Sequence, residues 1–270
     1  GGASNLHTNS NAAVEETAGE ILVYNGRPIE AVYSASNGGM TESNSNEWGG
    51  TQLPYLPVQK DEFDTQKKWN ITIQKQQINT TNLNLSLPDT WWNNTNEVDK
   101  TFTDNLKAWL NKNGYANKQL KIVSISNLDF YNPTSSGRAE RADLSVQFFV
   151  KDQVDAAGKL VLQTKDINYV TADTIRGFVG LSVMASTLIS EQTETDSVYS
   201  ISGSGYGHGV GMSQHGANNR ANAGHLYRDI LAFYYPGTAI SKIYVEDATA
   251  PEAPTVNVVL DNSTVVTGSA

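Results

Sequence analysis

A glycine-rich stretch at residues 202–217 constrains the fold more than any other part of the chain. Glycines occupy positions 203, 205, 207, 209 and 211, and two histidines, His208 and His215, lie within the run. Because glycine allows positive φ and lets another chain approach closely, this pattern predicts a backbone shaped to wrap around something rather than to fill a core. Taken alone, the stretch is equally compatible with a tight turn between a strand and a helix.

A second stretch, residues 33–50, strengthens the functional interpretation. Residues 34–45 are almost all small and polar, which is unusual for a core strand and typical of a loop that presents hydroxyl, amide and backbone N–H groups. Such a lining suits a sugar hydroxyl or an N-acetyl group. Trp48 is predicted either to stack on a sugar ring or, with Tyr55, to close the edge of the core.

With both stretches considered, the chain resembles the SpoIID/LytB family, the bacterial proteins related to sporulation stage II protein D and to the LytB enhancer of amidases. The matching residues are 33–41, 48–49, 54–56, 207–217 and 234–238. The resemblance implies that the protein binds and cleaves peptidoglycan glycan strands, as a lytic transglycosylase does, in cell-wall remodelling that can include sporulation. The alternative that it implies is a non-catalytic, wall-binding enhancer of an N-acetylmuramoyl-L-alanine amidase.

The resemblance also implies a set of site residues. His208 and Gln214 are the candidate catalytic residues. His208 is suited to exchange a proton with a sugar oxygen because its ordinary pKa lies near neutrality, and otherwise it hydrogen-bonds the Tyr33 loop. The segments around Ser36 and His208 are expected to lie close together and to form the two sides of one carbohydrate-binding groove. The candidate substrate-binding residues are Tyr33, Ser34, Ser36, Gly38, Gly39, Thr41, Trp48, Tyr206, Gly207, Gly209, Met212 and Ser213.

Glycan cleavage needs a carboxyl group with a raised pKa beside the glycosidic oxygen. In the family's lytic transglycosylases, the resemblance places this group in a Glu-Met-Pro-type segment, and no such segment occurs in residues 1–270. Glu42 and Glu47 are the carboxylates inside the motifs, and neither is assigned the acid role because polar loops commonly carry solvated glutamates. Enzymatic activity is therefore left open: either the acid lies on a segment upstream of Gly1, or the protein has no such acid.

Composition limits the partners. The net charge of −9 and the pI near 4.9 argue against nucleic-acid binding, which needs clustered Lys and Arg. The chain has no cysteine, so disulfides and thiolate metal sites are excluded, and His208 and His215 are too far apart in sequence for a helical metal pair. We predict no metal and no cofactor. No apolar run reaches the roughly 18 residues of a membrane span.

These limits leave peptidoglycan strands and a cell-wall amidase as the expected partners. The expected location is extracellular or in the cell wall of a Gram-positive-type bacterium. The chain begins without methionine or an apolar leader, so any export signal is expected upstream.

The predicted fold class is α+β, mostly antiparallel sheet with a few short helices, because the strands come in hairpin-like pairs. Asn25 and Gly26 predict a hairpin turn. Further strands are predicted at 121–130, 142–151, 181–189 and 197–202, and helices at 97–112, 171–180, 213–222 and 226–235.

Three regions are predicted along the chain. Residues 1–246 form a SpoIID/LytB-like domain that begins with a polar segment at 1–11 and contains an insert-like region at 60–118, of which 60–96 is irregular. A linker follows at 247–254. Residues 255–270 resemble the start of a bacterial immunoglobulin-like repeat.

Overall fold

The computed structural model describes residues 13–242, 255–260 and 264–269, the last two ranges as backbone only. The chain divides into two compact units, one drawn from Gly1–Ile29 and Ala239–Ala270 and the other spanning Glu30–Thr238. The predicted polar segment at 1–11 and the predicted linker at 247–254 lie outside the described residues.

Thirteen strands and six α-helices occur among the described residues. The strands are β1 (Glu20–Tyr24), β2 (Arg27–Pro28), β3 (Tyr33–Ser34), β4 (Lys68–Gln74), β5 (Leu120–Pro133), β6 (Ala139–Val154), β7 (Leu160–Thr171), β8 (Ile189–Glu194), β9 (Val198–Ser204), β10 (Met212–Ser213), β11 (Ala239–Lys242), β12 (Thr255–Leu260) and β13 (Thr264–Ser269). The helices are α1 (13–16), α2 (Asn44–Trp48), α3 (Lys100–Lys112), α4 (Ala172–Val179), α5 (Gln214–Asn222) and α6 (Tyr227–Tyr234), and Pro88–Thr90 forms a 3₁₀ turn.

The smaller unit contains an antiparallel sheet in the order β11-β1-β2. The turn between β1 and β2 is the predicted one, because Asn25 and Gly26 have φ of 50° and 74°. These left-handed values suit a tight hairpin.

β12 and β13 form an antiparallel hairpin in the region predicted to start an immunoglobulin-like repeat, and that assignment stays a prediction.

The larger unit is built on two three-stranded antiparallel sheets, β5-β6-β7 and β4-β9-β8. Helices α3 and α4 contact each other, and α4 also contacts β6. Their apolar faces bury Leu106, Leu110 and Phe178 against Leu144 and Val146 in one continuous core. Removing this apolar surface from water stabilises the unit by about 25 cal/mol per Å². The predicted α+β class is confirmed.

Strand β4 corrects the prediction that residues 60–96 are irregular. Trp69, Ile71 and Ile73 are buried while the residues between them are exposed, and the strand pairs along its length with β9. This alternation is the period of a half-buried strand. It was missed because the surrounding Asn, Gln and Thr dominate the composition of the region.

The strand predicted at 181–189 is also wrong. Residues 181–188 form turns and bends, and β8 begins only at Ile189. The turn is stabilised by two hydrogen bonds, which the Gly180 carbonyl accepts from the backbone N–H groups of Val183 and Met184. The preceding helix, α4, ends at Val179, just before Gly180, whose φ is 107°. This end lies within one residue of the end of the helix predicted at 171–180.

The remaining helices lie close to their predicted positions. α3 begins at Lys100 rather than at residue 97, and α5 and α6 begin one residue after their predicted starts. None of the helices in the described residues combines the length and apolar character that crossing a membrane requires.

Candidate functional site

The two motif segments lie side by side in the larger unit. β3 pairs with β10 in parallel, with Tyr33 opposite Met212 and Ser34 opposite Ser213. Ser36 and Tyr206 exchange two backbone hydrogen bonds, of 3.1 and 2.8 Å. The segments expected to meet from sequence therefore do meet, and their contact is made by backbone groups.

Glycine is required where these backbones come close. Gly38 has φ of 71°, and a Cβ at this position would lie 2.6 Å from the Gly205 nitrogen. Gly209 has φ of 77°, and its Cβ would lie 2.1 Å from Nη2 of Arg138. No L-residue side chain fits either position without moving its neighbours. The alternating glycines thus allow the loop to pack against Arg138 and the 36–38 segment.

Asp64 joins the two segments through side-chain bonds. Its Oδ1 accepts from the Ser36 hydroxyl at 2.8 Å, and its Oδ2 accepts from the Asn37 N–H at 2.6 Å and from the Ser213 hydroxyl at 2.5 Å. All these groups are buried. A charged acceptor in a buried setting makes strong hydrogen bonds, so Asp64 fixes the relative position of the loops.

Asp61 forms a second buried anchor. Its carboxylate accepts from Nη2 of Arg220 at 2.8 Å, from the Tyr234 hydroxyl at 2.6 Å and from Nδ2 of Asn37 at 2.8 Å. Burial, together with the neighbouring Asp61, holds the pKa of Tyr234 well above its usual range. The Arg220 guanidinium lies 3.5 Å from the centroid of the Phe233 ring. Helices α5 and α6 are thereby tied to the 37–39 turn.

Glu42 and Arg138 form the third buried group. The Glu42 carboxylate accepts hydrogen bonds from Ser43 N–H, Asn46, Thr134 and Ser136, at 2.6–2.8 Å. Arg138 donates to the backbone carbonyls of Asn37 and Met40 at 2.9 and 3.0 Å. Burial lowers the pKa of Arg138, and the charge of Glu42 opposes that shift. Glu42 is therefore a fully bonded structural carboxylate.

Several predicted binding residues turn inward. Ser36, Thr41 and Ser213 are at most 1% exposed, and Ser34 is also buried. Thr41 donates to the Pro57 carbonyl at 2.8 Å. The prediction that this loop presents its hydroxyls to a ligand does not hold for these side chains. A loop with few apolar residues must be held by polar bonds, and the hydroxyl groups of Ser36, Thr41 and Ser213 supply some of them.

An exposed aromatic surface remains at the junction of the segments. Tyr33 is 58% exposed, Trp48 is 55% exposed and Tyr206 is 41% exposed. The rings of Trp48 and His208 lie with their centroids 5.1 Å apart and tilted by 58°. We call these four residues the Trp48 surface. Trp48 does not close the core, so of its two predicted positions the exposed one is observed.

His208 is half-buried beside Trp48. Its Nδ1 accepts from the Val210 N–H at 2.9 Å. Burial lowers the pKa of His208, hydrogen bonding to the Tyr33 backbone opposes this, and the charge of Arg138 adds to it. The imidazole contacts both the Tyr33 backbone and the Trp48 ring. Gln214, the other catalytic candidate, is exposed at the start of α5.

Ser213 offers a test of this architecture because it caps α5 and also binds Asp64. Its Oγ accepts from the Gly216 N–H at 3.0 Å. We expect Ser213→Ala to lower the free energy of unfolding by about 2 kcal/mol, since it removes a helix cap and a hydrogen bond to a buried carboxylate. Urea denaturation measures the loss. Ser43→Ala, which removes the cap of α2 but no bond to Asp64, should cost less; equal losses would contradict the anchoring role of Asp64.

No protein-family model matches the chain. The chain is 41% identical over 241 residues to the amidase enhancer of Bacillus subtilis (strain 168), a match that covers 89% of this chain and 34% of that protein. The chain belongs to the SpoIID/LytB-like family.

Two further relatives are stage II sporulation proteins D. The Bacillus subtilis protein is 26% identical over 237 residues, covering 85% of this chain and 50% of the relative. The Bacillus amyloliquefaciens protein is 25% identical over 240 residues, covering 89% and 53%. The chain thus spans between a third and about half of the length of these family members.

Sequence reasoning missed Asp61 and Asp64, although both lie just after the family's 54–56 match. The signal available was a pair of carboxylates three residues apart, but they stand among other charged residues in a stretch that we interpreted as an irregular polar segment. The side chains that bind them lie 24 to 173 residues away, so no local pattern reveals these contacts. Within the residues that the structure describes, no group of three or more His, Asp or Glu side chains is arranged to hold a metal ion.

Proposed function

We propose that this chain recognises peptidoglycan glycan strands in the cell wall of a Gram-positive-type bacterium. The observation that carries the proposal is the Trp48 surface, where three exposed aromatic side chains lie at the junction of the two motifs and Trp48 packs on His208. A cluster of exposed aromatic side chains can mark a binding site, and a flat ring suits the apolar face of a sugar. The names of the relatives, amidase enhancer and stage II sporulation protein D, support a role in wall remodelling or sporulation.

Strand cleavage, as by a lytic transglycosylase, is the first form that this function can take. It requires a carboxyl group that can give up a proton at the glycosidic oxygen. Glu42 is unsuited to this role because its carboxylate is buried and accepts four hydrogen bonds.

Enhancement of a wall amidase without cleavage is the second form. Its support is the 41% identity to a protein named amidase enhancer. In this form the Trp48 surface binds the strand, and the amidase is a protein partner. Purified glycan strands separate the two forms: release of 1,6-anhydromuramyl ends favours cleavage, whereas intact strands with faster hydrolysis by an added amidase favour enhancement.

Binding itself is tested by Trp48→Ala. We expect co-sedimentation with purified glycan strands to weaken about tenfold or more, because an aromatic residue at the centre of a binding surface commonly contributes about 2 kcal/mol. The melting temperature should change little, since the ring is more than half exposed. Tyr227→Ala, which truncates a ring that is 41% exposed on α6, is the control and should bind normally. Equal binding by wild type and Trp48→Ala would contradict the proposal.

A further inference from the structure

Tyr169, near the end of β7, is the most exposed aromatic residue in the part of the chain that the structure describes, at 65%. It lies outside both motif segments. Its φ is 55°, and the other described non-glycine residues with positive φ are three asparagines. Asparagine tolerates the left-handed region, whereas a bulky side chain is strained there. Tyr169 is therefore held in a conformation that its own side chain disfavours.

A β-bulge produces this conformation. The register between β6 and β7 shifts, so that Asp143 of β6 faces two residues of β7, Asn168 and Tyr169. The extra residue bends the strand and re-aims a side chain, and bulges are frequent beside functional sites. A strained residue persists only where its surroundings impose the conformation.

Two neighbours impose the conformation of Tyr169. The Oδ1 atom of Asp143 accepts from the Tyr169 N–H at 2.6 Å and from the Tyr131 hydroxyl at 2.9 Å. The guanidinium carbon of Arg141 lies 4.5 Å from the centroid of the Tyr169 ring, which is a cation–π contact. These contacts order the backbone and the ring while the residue stays largely exposed. The bulge thus presents an ordered aromatic face to solvent.

A cleft with a volume of about 360 Å³ borders both Tyr169 and the Trp48 surface. One wall includes Arg141, on which the Tyr169 ring packs. Another wall includes Glu47 and Gly49, the two chain neighbours of Trp48. We call it the α2 cleft, because helix α2 forms this second wall. A ligand long enough to cross the α2 cleft can contact an exposed ring on each side.

The lining of the α2 cleft suits a polysaccharide better than a protein segment. Its residues are charged or polar apart from glycine and alanine, and none is aromatic. A protein segment gains most of its binding energy by burying apolar side chains, and this cleft offers no apolar pocket for them. A glycan presents hydroxyl groups along its length and an apolar face on each sugar, which matches a polar cleft with aromatic rings at its borders.

We propose that Tyr169 is a second stacking site for a glycan strand, across the α2 cleft from Trp48. The inference rests on the function proposed above and adds to it a preference for long strands. A strand that crosses the cleft contacts both rings within one complex, so the second contact strengthens binding without a second loss of translational freedom. A disaccharide reaches only one ring. The backbone strain at Tyr169 is the cost of placing the second ring.

The test measures binding as a function of strand length for wild type, Tyr169→Gly and Tyr169→Phe. Glycan strands are separated by length, from one disaccharide upward, and binding is followed by NMR titration. Tyr169→Gly should weaken binding of long strands about three- to tenfold, the usual effect of one aromatic contact, and change disaccharide binding by no more than about twofold. Tyr169→Phe keeps the ring and should bind as wild type does. Trp48→Ala should weaken binding at every length.

A stability measurement checks that the ring is placed at the expense of backbone strain. Tyr169→Gly and Tyr169→Ala both remove the ring and its contact with Arg141, but only glycine adopts a φ of 55° without a Cβ penalty. The melting temperature of Tyr169→Gly should therefore exceed that of Tyr169→Ala by about 2–4 °C. The hydrogen bond to Asp143 is retained in both variants because it is made by the backbone N–H.

Three outcomes would overturn the inference. The first is a Tyr169→Gly protein that binds long strands as wild type does, in which case the bulge only blunts the open edge of the β5-β6-β7 sheet. The second is an equal loss of binding at every strand length. The third is a melting temperature for Tyr169→Gly that does not exceed that of Tyr169→Ala. A wild type that binds no strand of any length contradicts the proposed function as well.

Discussion

Asp61→Asn should lower the free energy of unfolding by about 3–5 kcal/mol, the usual result of breaking a buried ion pair by removing one partner. Asp61 is fully buried, and it accepts from Arg220, Tyr234 and Asn37. The substitution leaves the Arg220 charge without its carboxylate and turns an amide N–H₂ toward groups that are already donors. Urea unfolding followed by circular dichroism measures the loss.

Two further variants sharpen the Asp61 test. Glu62→Gln changes the neighbouring exposed carboxylate and should shift stability by no more than about 0.5 kcal/mol. Arg220→Met combined with Asp61→Asn should be less destabilised than the sum of the single changes, because no unpaired buried charge remains. Additive losses, or a loss below about 1 kcal/mol for Asp61→Asn, would show that the ion pair does not hold the helices to the loop.

Gly209→Ala should cost about 3–5 kcal/mol through two effects that add. The residue has φ of 77°, where a Cβ costs about 1–2 kcal/mol. The new methyl group would also lie 2.1 Å from Nη2 of Arg138, and displacing this guanidinium breaks its bonds to Asn37 and Met40. Differential scanning calorimetry measures the change, and binding to glycan strands should weaken in parallel.

Gly224→Ala is the matched control for Gly209→Ala. Gly224 has φ of 91°, but a Cβ there would meet no atom within 4 Å. It should show only the conformational cost of about 1–2 kcal/mol. The difference in unfolding free energy between the two variants then measures the cost of the contact with Arg138. If the two glycines prove equally replaceable, the close approach of the loop to Arg138 is not required for stability.

The sequence predicted the meeting of the two motifs because each carried its own local signal. Glycines at alternate positions predicted close backbone contact at 203–211, and small polar residues predicted a loop at 34–45. The Asn25–Gly26 turn was also readable, because such a turn depends on two adjacent residues. The family resemblance joined these local signals into one site.

The direction of individual side chains was not predictable in the same way. Ser36 and Ser213 look equivalent to exposed loop serines until Asp64 is placed beside them. Glu42 and Glu47 are five positions apart in one motif, yet the first is saturated with hydrogen bonds and the second has none. Only the fold decides this difference, because donors for Glu42 come from Thr134 and Ser136 on a distant turn.

The parallel pairing of β3 with β10 has a consequence for biosynthesis. In the sequence, β3 lies near the start of the Glu30–Thr238 unit and β10 lies near its end. The strands of both three-stranded sheets lie between them in the chain. A growing polypeptide cannot close this pairing until nearly the whole unit has emerged, and contacts so distant in sequence form slowly. The proposed glycan-binding surface is thus completed only at the end of synthesis, and proteolytic removal of either short strand should disrupt it.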